Sequence, residues 1–524
     1  MSQMLKSSGA MGLATLISRM LGLVREQVYA AFMGTSAVAG AFQMAFTVPN
    51  LFRRLLGEGA LTAAFIPIFK AKEKTEGEQE MWRSANVVIS GLVVSAAAVV
   101  GLVLLGITLV LSWSTLPEST QLMLRLLQVM FPYMLLVCLA AVLMGMLNAR
   151  GYFFIPAFGA AMLNVVMIGS VLWLAPRMGE ELEEQIFGLA VGVLVAGVAQ
   201  AGFQVPALWR QGFRFRWVRP WGDPTLMEVV KKMLPASVGV AAFQINVLVT
   251  QSLAFGVHAP IVAAFNYAVR LMEFPQGLFG ISLATYMLPT LSGLAAEKDY
   301  DRFRATLREG LSYLVFLNLL ASAMLMALAA PVVRLLFEYG RFGPSSTAAV
   351  AVALGCLAPG LVAFSSVNIV ARAFYAVGDT TTPMRVSVFC LAVNILLTAM
   401  FLLALDLGAA GLAVANSMTS YLNLALLLYA LRRKLAHLGL APLGRTLLPS
   451  LGAAVLAGLC AWGLASWLEQ RMGHAGIGVR MLQVFAPLIV AGLAYGVLCY
   501  WAGVPAVKEI WSTFAGRLGR NEKR

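Results

Sequence analysis

The stretch ISRMLGLVREQVYAAFMG (residues 17–34) decides the fold. It continues an apolar block that starts near Ala10 and is long enough to cross a bilayer, which takes about 20 residues. It differs from the short, uncharged core of a cleavable signal peptide, so it reads as a permanent span. Yet it carries Arg19, Arg25 and Glu26. With Ala10 at the inner edge, Arg19 lies roughly 13 Å deep and Arg25 roughly 22 Å deep at the α-helical rise. A charge at that depth is costly and normally faces a partner or a water-filled cavity.

The same pattern of apolar blocks with polar breaks extends to the end of the chain. Of 524 residues, 60% are hydrophobic and only 12% are charged, which excludes an ordinary soluble domain. The blocks predict an all-α polytopic membrane protein with about 14 spans. They run near 10–33, 36–68, 84–112, 121–148, 155–176, 186–208, 227–256, 260–292, 308–330, 346–375, 384–405, 408–431, 447–468 and 481–504. Pro49 and Pro275 fall inside two long blocks, next to arginines, and predict breaks there. The five cysteines sit singly in apolar blocks and the three histidines at span ends. Neither set has the spacing of a disulfide framework or a metal site. No catalytic constellation, cofactor motif or metal-binding pattern is expected.

The net charge of +14 lies mostly on alternate loops. That is the orientation signal of a membrane protein and not a nucleic-acid footprint. Both termini are expected on the cytoplasmic side. Arg341, Arg471 and Arg480 fall on the opposite side as exceptions.

A weak internal repeat is present. Pro132, Ala149, Gly151 and Pro156 recur as Pro359, Ala376, Gly378 and Pro383, each 227 residues later. The expected organisation is a six-helix lobe over 1–220, a second over 221–436, and two further spans with a cytoplasmic tail over 437–524. The lobes would be related by a pseudo-two-fold. Transporter sites lie near the midplane between such repeats.

Five arginines lie inside apolar blocks: Arg19, Arg25, Arg53, Arg54 and Arg270. Only Glu26, Glu58 and Glu273 share those blocks. Arg54 with Glu58, and Arg270 with Glu273, have the helical spacing of ion pairs. Arg25 and Glu26 point about 100° apart and predict no intrahelical pair. Two readings follow. The charges form salt bridges between helices, or the excess of cations serves an anion. Guanidinium groups suit phosphate, because they stay charged and donate two parallel hydrogen bonds. On the second reading Arg25, Arg53 and Arg270 line one cavity with Arg19 near its inner mouth, and Asn50 supports them.

The motifs that carry these residues resemble a known family. They are ISRMLGLVREQVYAAFMG (17–34), VPNLFRRLLGEGALTAAFIP (48–67), NYAVRLMEFPQGLFGISLATYMLPTLS (266–292) and FYAVGDTTTPMRV (374–386). They are similar to the MurJ (MviN) lipid II flippases of bacteria, within the multidrug/oligosaccharidyl-lipid/polysaccharide exporter superfamily. The resemblance covers essentially the whole chain. It implies two six-helix lobes around a cationic cavity and a final helix pair that forms a lipid-facing groove. It implies movement of the undecaprenyl-diphosphate-linked peptidoglycan precursor, lipid II, from the inner to the outer leaflet of the bacterial cytoplasmic membrane. It places the family's essential arginines on Arg25, Arg53 and Arg270, and further family positions on Arg19 and Glu26. The implied partners are the lipid-linked diphosphate and the membrane, with cell-wall synthesis proteins as candidate protein partners.

The chain departs from the family at Gly40, where many members carry an acid, at Thr47, where some carry lysine, and at Val269, where some carry aspartate. Residues 237–256 and 386–405 hold none of the acids used by sodium-coupled members. The alternatives are export of another polyprenyl-diphosphate-linked glycan, or multidrug export within the same superfamily.

Overall fold

The computed structural model describes residues 2–54 and 61–507, with side chains omitted at 2–16, 61–63, 160, 235–240 and 242. The described residues form helices and turns with no strand. The chain divides into two compact units, Met1–Ala263 with Tyr339–Arg341, and Ala264–Glu338 with Phe342–Arg524.

The first unit contains α1 (Ser2–Met33), α2 (Ala37–Phe52), α3 (Leu61–Thr75), α4 (Glu78–Trp113) and α5 (Glu118–Met130). It continues with α6 (Tyr133–Ala149), α7 (Phe154–Gly169), α8 (Leu182–Gly202), α9 (Val205–Arg210) and α10 (Pro224–Val257). Then come α11 (Ala259–Pro275), α12 (Ser282–Ala296), α13 (Tyr300–Ala327), α14 (Ala329–Phe337) and α15 (Pro344–Leu357). The last five are α16 (Leu361–Ala376), α17 (Thr381–Ala399), α18 (Gly408–Lys434), α19 (Gly444–Met472) and α20 (Ile477–Trp501).

Among the described residues, ten helical runs are long and apolar enough to cross a membrane, and eleven when the bent pair α5–α6 is one span. The other three expected spans fall on α1, on α2 with α3, and on α10. Each of these includes or adjoins residues outside the description.

The prolines act more gently than the sequence predicts. Helix α2 passes through Pro49, whose carbonyl accepts the backbone N–H of Arg53. Arg53 and Arg54 then lie in a π-turn. Beyond Pro275 a π-turn over Gln276–Ile281 leads into α12. Ala259–Ala296 is one 38-residue span, as the eighth apolar block predicts, with the π-turn inside it. A wide turn relieves the clash of a proline ring with the preceding carbonyl without ending the helix.

The repeat is visible in local structure. Pro132 lies at the 41° bend between α5 and α6, and Pro359 lies in the 3₁₀ turn between α15 and α16. Ala149 and Ala376 end α6 and α16. Gly151 and Gly378 follow with φ of +83° and +76°, the left-handed region that glycine enters without steric cost. The next N–H reaches back five residues in both copies, Tyr152 to Leu147 and Asp379 to Phe374, each at 2.9 Å. That is the same glycine-terminated helix cap twice. Pro156 and Pro383 are then the third residues of α7 and α17.

In the first unit, the basic segment after α9 is fixed to α4. Asn86 donates to the Arg214 carbonyl (3.2 Å) and accepts from the Arg216 N–H (3.1 Å). In the second unit, α19 and α20 pack together and α19 packs on α13. The buried seam uses Ala454, Ala457, Ala461 and Ala465 of α19 with Ala491 of α20. Small residues allow the close helix approach on which packing within a membrane depends.

Candidate substrate-binding arginines

In the first unit, Asn164 of α7 donates to the Ser18 carbonyl of α1 (3.0 Å), beside Gly22. This fixes the half of α1 that bears the charges. Arg19 is exposed. Arg25 is 12% exposed, and its Nη2 meets Glu26 Oε1. The guanidinium lies 5.5 Å from the centroid of the Tyr29 ring. Among the described residues, Arg25 Nε is buried without a hydrogen-bond acceptor. The expectation that Arg25 and Glu26 do not pair is thus corrected. Their Cβ directions diverge, but the long arginine side chain folds sideways far enough to reach its neighbour.

Arg53 Nε donates to Asn50 Oδ1 at 2.8 Å, one turn back along α2. Asn50 therefore supports the arginine directly. The expected partner of Arg54, Glu58, lies outside the described residues. Thr47 donates to Gln251 of α10 at 3.0 Å. Gly40 packs so closely that a Cβ there would overlap the carbonyl of Ala259. An acidic side chain cannot fit that position without a backbone shift.

In the second unit, Arg270 and Glu273 form the expected pair at 2.8 Å. Both are half-exposed, at 45% and 46%. Asn394 of α17 donates to Thr419 of α18 (3.3 Å), the cross-helix role usual for an intramembrane amide. Among the described residues, no three His, Cys, Asp or Glu side chains come together as a metal-binding group.

Two exceptions to the charge pattern are helix caps. Within the first unit, the Arg341 backbone N–H bonds the Ala31 carbonyl (2.8 Å) and its guanidinium bonds that of Phe32 (3.2 Å), at the end of α1. Arg480 bonds the carbonyls of Arg334 (3.3 Å) and Glu338 (2.9 Å), at the end of α14. A cation suits the negative end of a helix.

Sequence reasoning missed Asp379. It accepts from the N–H groups of Thr381 (3.1 Å) and Thr382 (2.9 Å) at the start of α17, and from Lys434 (2.7 Å) at the end of α18. Lys434 and the Thr382 N–H hold its carboxyl well below the usual carboxylate range. An acid followed by three threonines was a visible capping signal, but its lysine partner is 55 residues away.

The family model for lipid II flippase MurJ matches residues 29–483. The chain belongs to the MurJ lipid II flippase family. Arg53 and Arg270 lie inside the MurJ match, and Arg19, Arg25 and Glu26 precede it. A probable lipid II flippase MurJ of Vibrio cholerae is 33% identical over 514 residues, covering 94% of this chain and 97% of the relative. The lipid II flippase MurJ of Burkholderia cenocepacia is 32% identical, covering 92% and 95%. Among solved structures, a lipid II flippase MurJ in an inward closed conformation matches with a TM-score of 0.74 at 21% identity, covering 92% of this chain and 97% of that one. An inward-facing multidrug resistance MATE transporter of the MOP superfamily matches with a TM-score of 0.66 at 16% identity, covering 80% and 95%. The MurJ and MATE structures share the fold with this chain.

Proposed function

We propose that this protein moves lipid II from the inner to the outer leaflet of the bacterial cytoplasmic membrane by alternating access. The observation that carries the reading is a MurJ-family chain with arginines inside its apolar blocks, Arg25 and Arg53 in one unit and Arg270 in the other. Arg25, Arg53 and Arg270 bind the diphosphate, with Arg19 at the inner mouth. Glu26, Asn50 and Glu273 hold the guanidinium groups in place until substrate arrives. Arg54 and Glu58 are proposed to balance each other nearby. The polyprenyl tail stays in lipid along α19 and α20.

A diphosphate suits this set because each phosphate oxygen accepts charge-assisted bonds that a fork of N–H donors can supply. An inside-negative potential favours outward movement of the anion by about 2.3 kcal/mol per charge per 100 mV. The same field draws the emptied cationic site back inward. The potential then drives the cycle without a dedicated ion site, and both termini face the cytoplasm.

The test is depletion of the protein followed by a leaflet assay for lipid II. Accumulation in the inner leaflet is expected. Normal export after depletion overturns the function. Collapsing the potential at constant ion gradients should slow flipping, and unchanged turnover removes the driving force proposed here.

A further inference from the structure

In the second unit a cavity of about 300 Å³ opens between α13, the start of α19 and the segment after α20. Its lining includes Arg308, Glu309, Ser312, Tyr313, Thr446 and Pro505. Three charge boundaries set its depth. Arg308 and Glu309 are the last charges of α13 before an uncharged run to Arg334. Arg445 is the last charge before an uncharged run to Glu469. After Arg480 the next charge is Lys508, just beyond the lining residues Pro505 and Ala506. Three runs long enough to cross a bilayer thus meet polar chain at one cavity. That is the level of lipid headgroups.

The cavity offers one charge of each sign. Arg308 donates one hydrogen bond to the Gly439 carbonyl (3.3 Å). Among the described residues it has no carboxylate partner, and the Glu309 side chain has neither an ion pair nor a hydrogen bond. Ser312 and the buried Thr446 add a pair of hydroxyls 2.7 Å apart. Tyr313 and Pro505 add less polar surface. Arginine matches a phosphodiester. Glutamate opposes an anionic headgroup but accepts from a primary ammonium. A choline group has no N–H to offer it.

We propose that this cavity binds the zwitterionic headgroup of a phosphoethanolamine lipid, with Arg308 on the phosphate and Glu309 on the ammonium. The lining shares no residue with the arginines proposed to hold the diphosphate, and its test does not read transport.

The purified, delipidated full chain would be titrated with dioleoyl-phosphatidylethanolamine, dioleoyl-phosphatidylcholine, dioleoyl-phosphatidylglycerol and inorganic phosphate. Bound lipid is counted by native mass spectrometry, and the melting temperature is followed in parallel. The ethanolamine lipid is expected to bind about tenfold more tightly than the choline lipid, the effect of one hydrogen bond to a charged group. Arg308→Gln should weaken both lipids alike, because both carry the phosphodiester, whereas Glu309→Gln should abolish the preference and shift binding toward phosphatidylglycerol. Equal binding of ethanolamine and choline lipids overturns the proposal, as does a preference that survives Glu309→Gln or lipid binding that Arg308→Gln leaves unchanged. A melting-temperature rise with inorganic phosphate equal to that with the ethanolamine lipid also overturns it, in favour of a free-anion site.

Discussion

The carboxylate of Glu26 lies against the guanidinium of its immediate chain neighbour, Arg25, and both side chains are 12% exposed. The pair Arg270–Glu273 has the same chemistry but is nearly half-exposed. Burial decides how much each is worth. Breaking a buried pair leaves an uncompensated charge and costs about 3–5 kcal/mol, whereas an exposed pair contributes about 0–1 kcal/mol. Glu26→Gln is therefore expected to lower the melting temperature of the purified protein clearly, and Glu273→Gln hardly at all. Equal shifts would contradict the difference in burial.

Arg53 is held by the neutral oxygen of Asn50. Asn50→Asp keeps an acceptor at that point but places a formal negative charge on the guanidinium. If Arg53 receives the diphosphate, flipping should fall about tenfold or more, as expected when a charge-assisted contact of at least 1.4 kcal/mol is lost. Asn50→Ala should lose less. Unchanged flipping by Asn50→Asp, measured in the leaflet assay, would remove Arg53 from the binding set.

At Gly40 the added methyl of Gly40→Ala would overlap the Ala259 carbonyl. Overpacking of this kind costs about 1–3 kcal/mol. The yield and melting temperature of that variant should both drop, and Gly40→Asp should be worse. A Gly40→Asp protein as stable as the parent would show that the two backbones separate at little cost.

Asp379, between α16 and α17, sets a pH dependence. Its folded-state pKa is depressed by Lys434 and by the Thr382 N–H. The stability it contributes is complete above the unfolded value, about 3.9, and is lost as the pH falls below that toward the folded value. Melting curves from neutral pH downward should show the parent losing an increment below about pH 4 that Asp379→Asn lacks. Parallel curves would count against this ion pair.

Most of the architecture was readable because bilayer thickness imposes one length on every crossing. The repeat was readable too, since Gly151 and Gly378 occupy backbone conformations that glycine favours. The arginines stood out because they interrupt apolar blocks. What escaped were relationships set by side-chain reach and distant partners. A helical wheel tracks Cβ directions, so it missed Arg25 folding onto Glu26. No local pattern links Gly40 to Ala259 or Asp379 to Lys434, because those contacts exist only after the helices pack.

The π-turn at Gln276–Ile281 has a further effect on Arg270. Such a turn admits one residue more than regular winding, which rotates everything downstream by about 100°. The stripe that Arg270 and Glu273 occupy on α11 therefore does not carry on along α12 at the usual three- and four-residue steps. A single straight wheel drawn through Ala259–Ala296 puts Tyr286 about 160° from Arg270, whereas the extra residue brings it to about 60°, and variants chosen from the straight wheel to widen or narrow the arginine's surroundings would probe a different face.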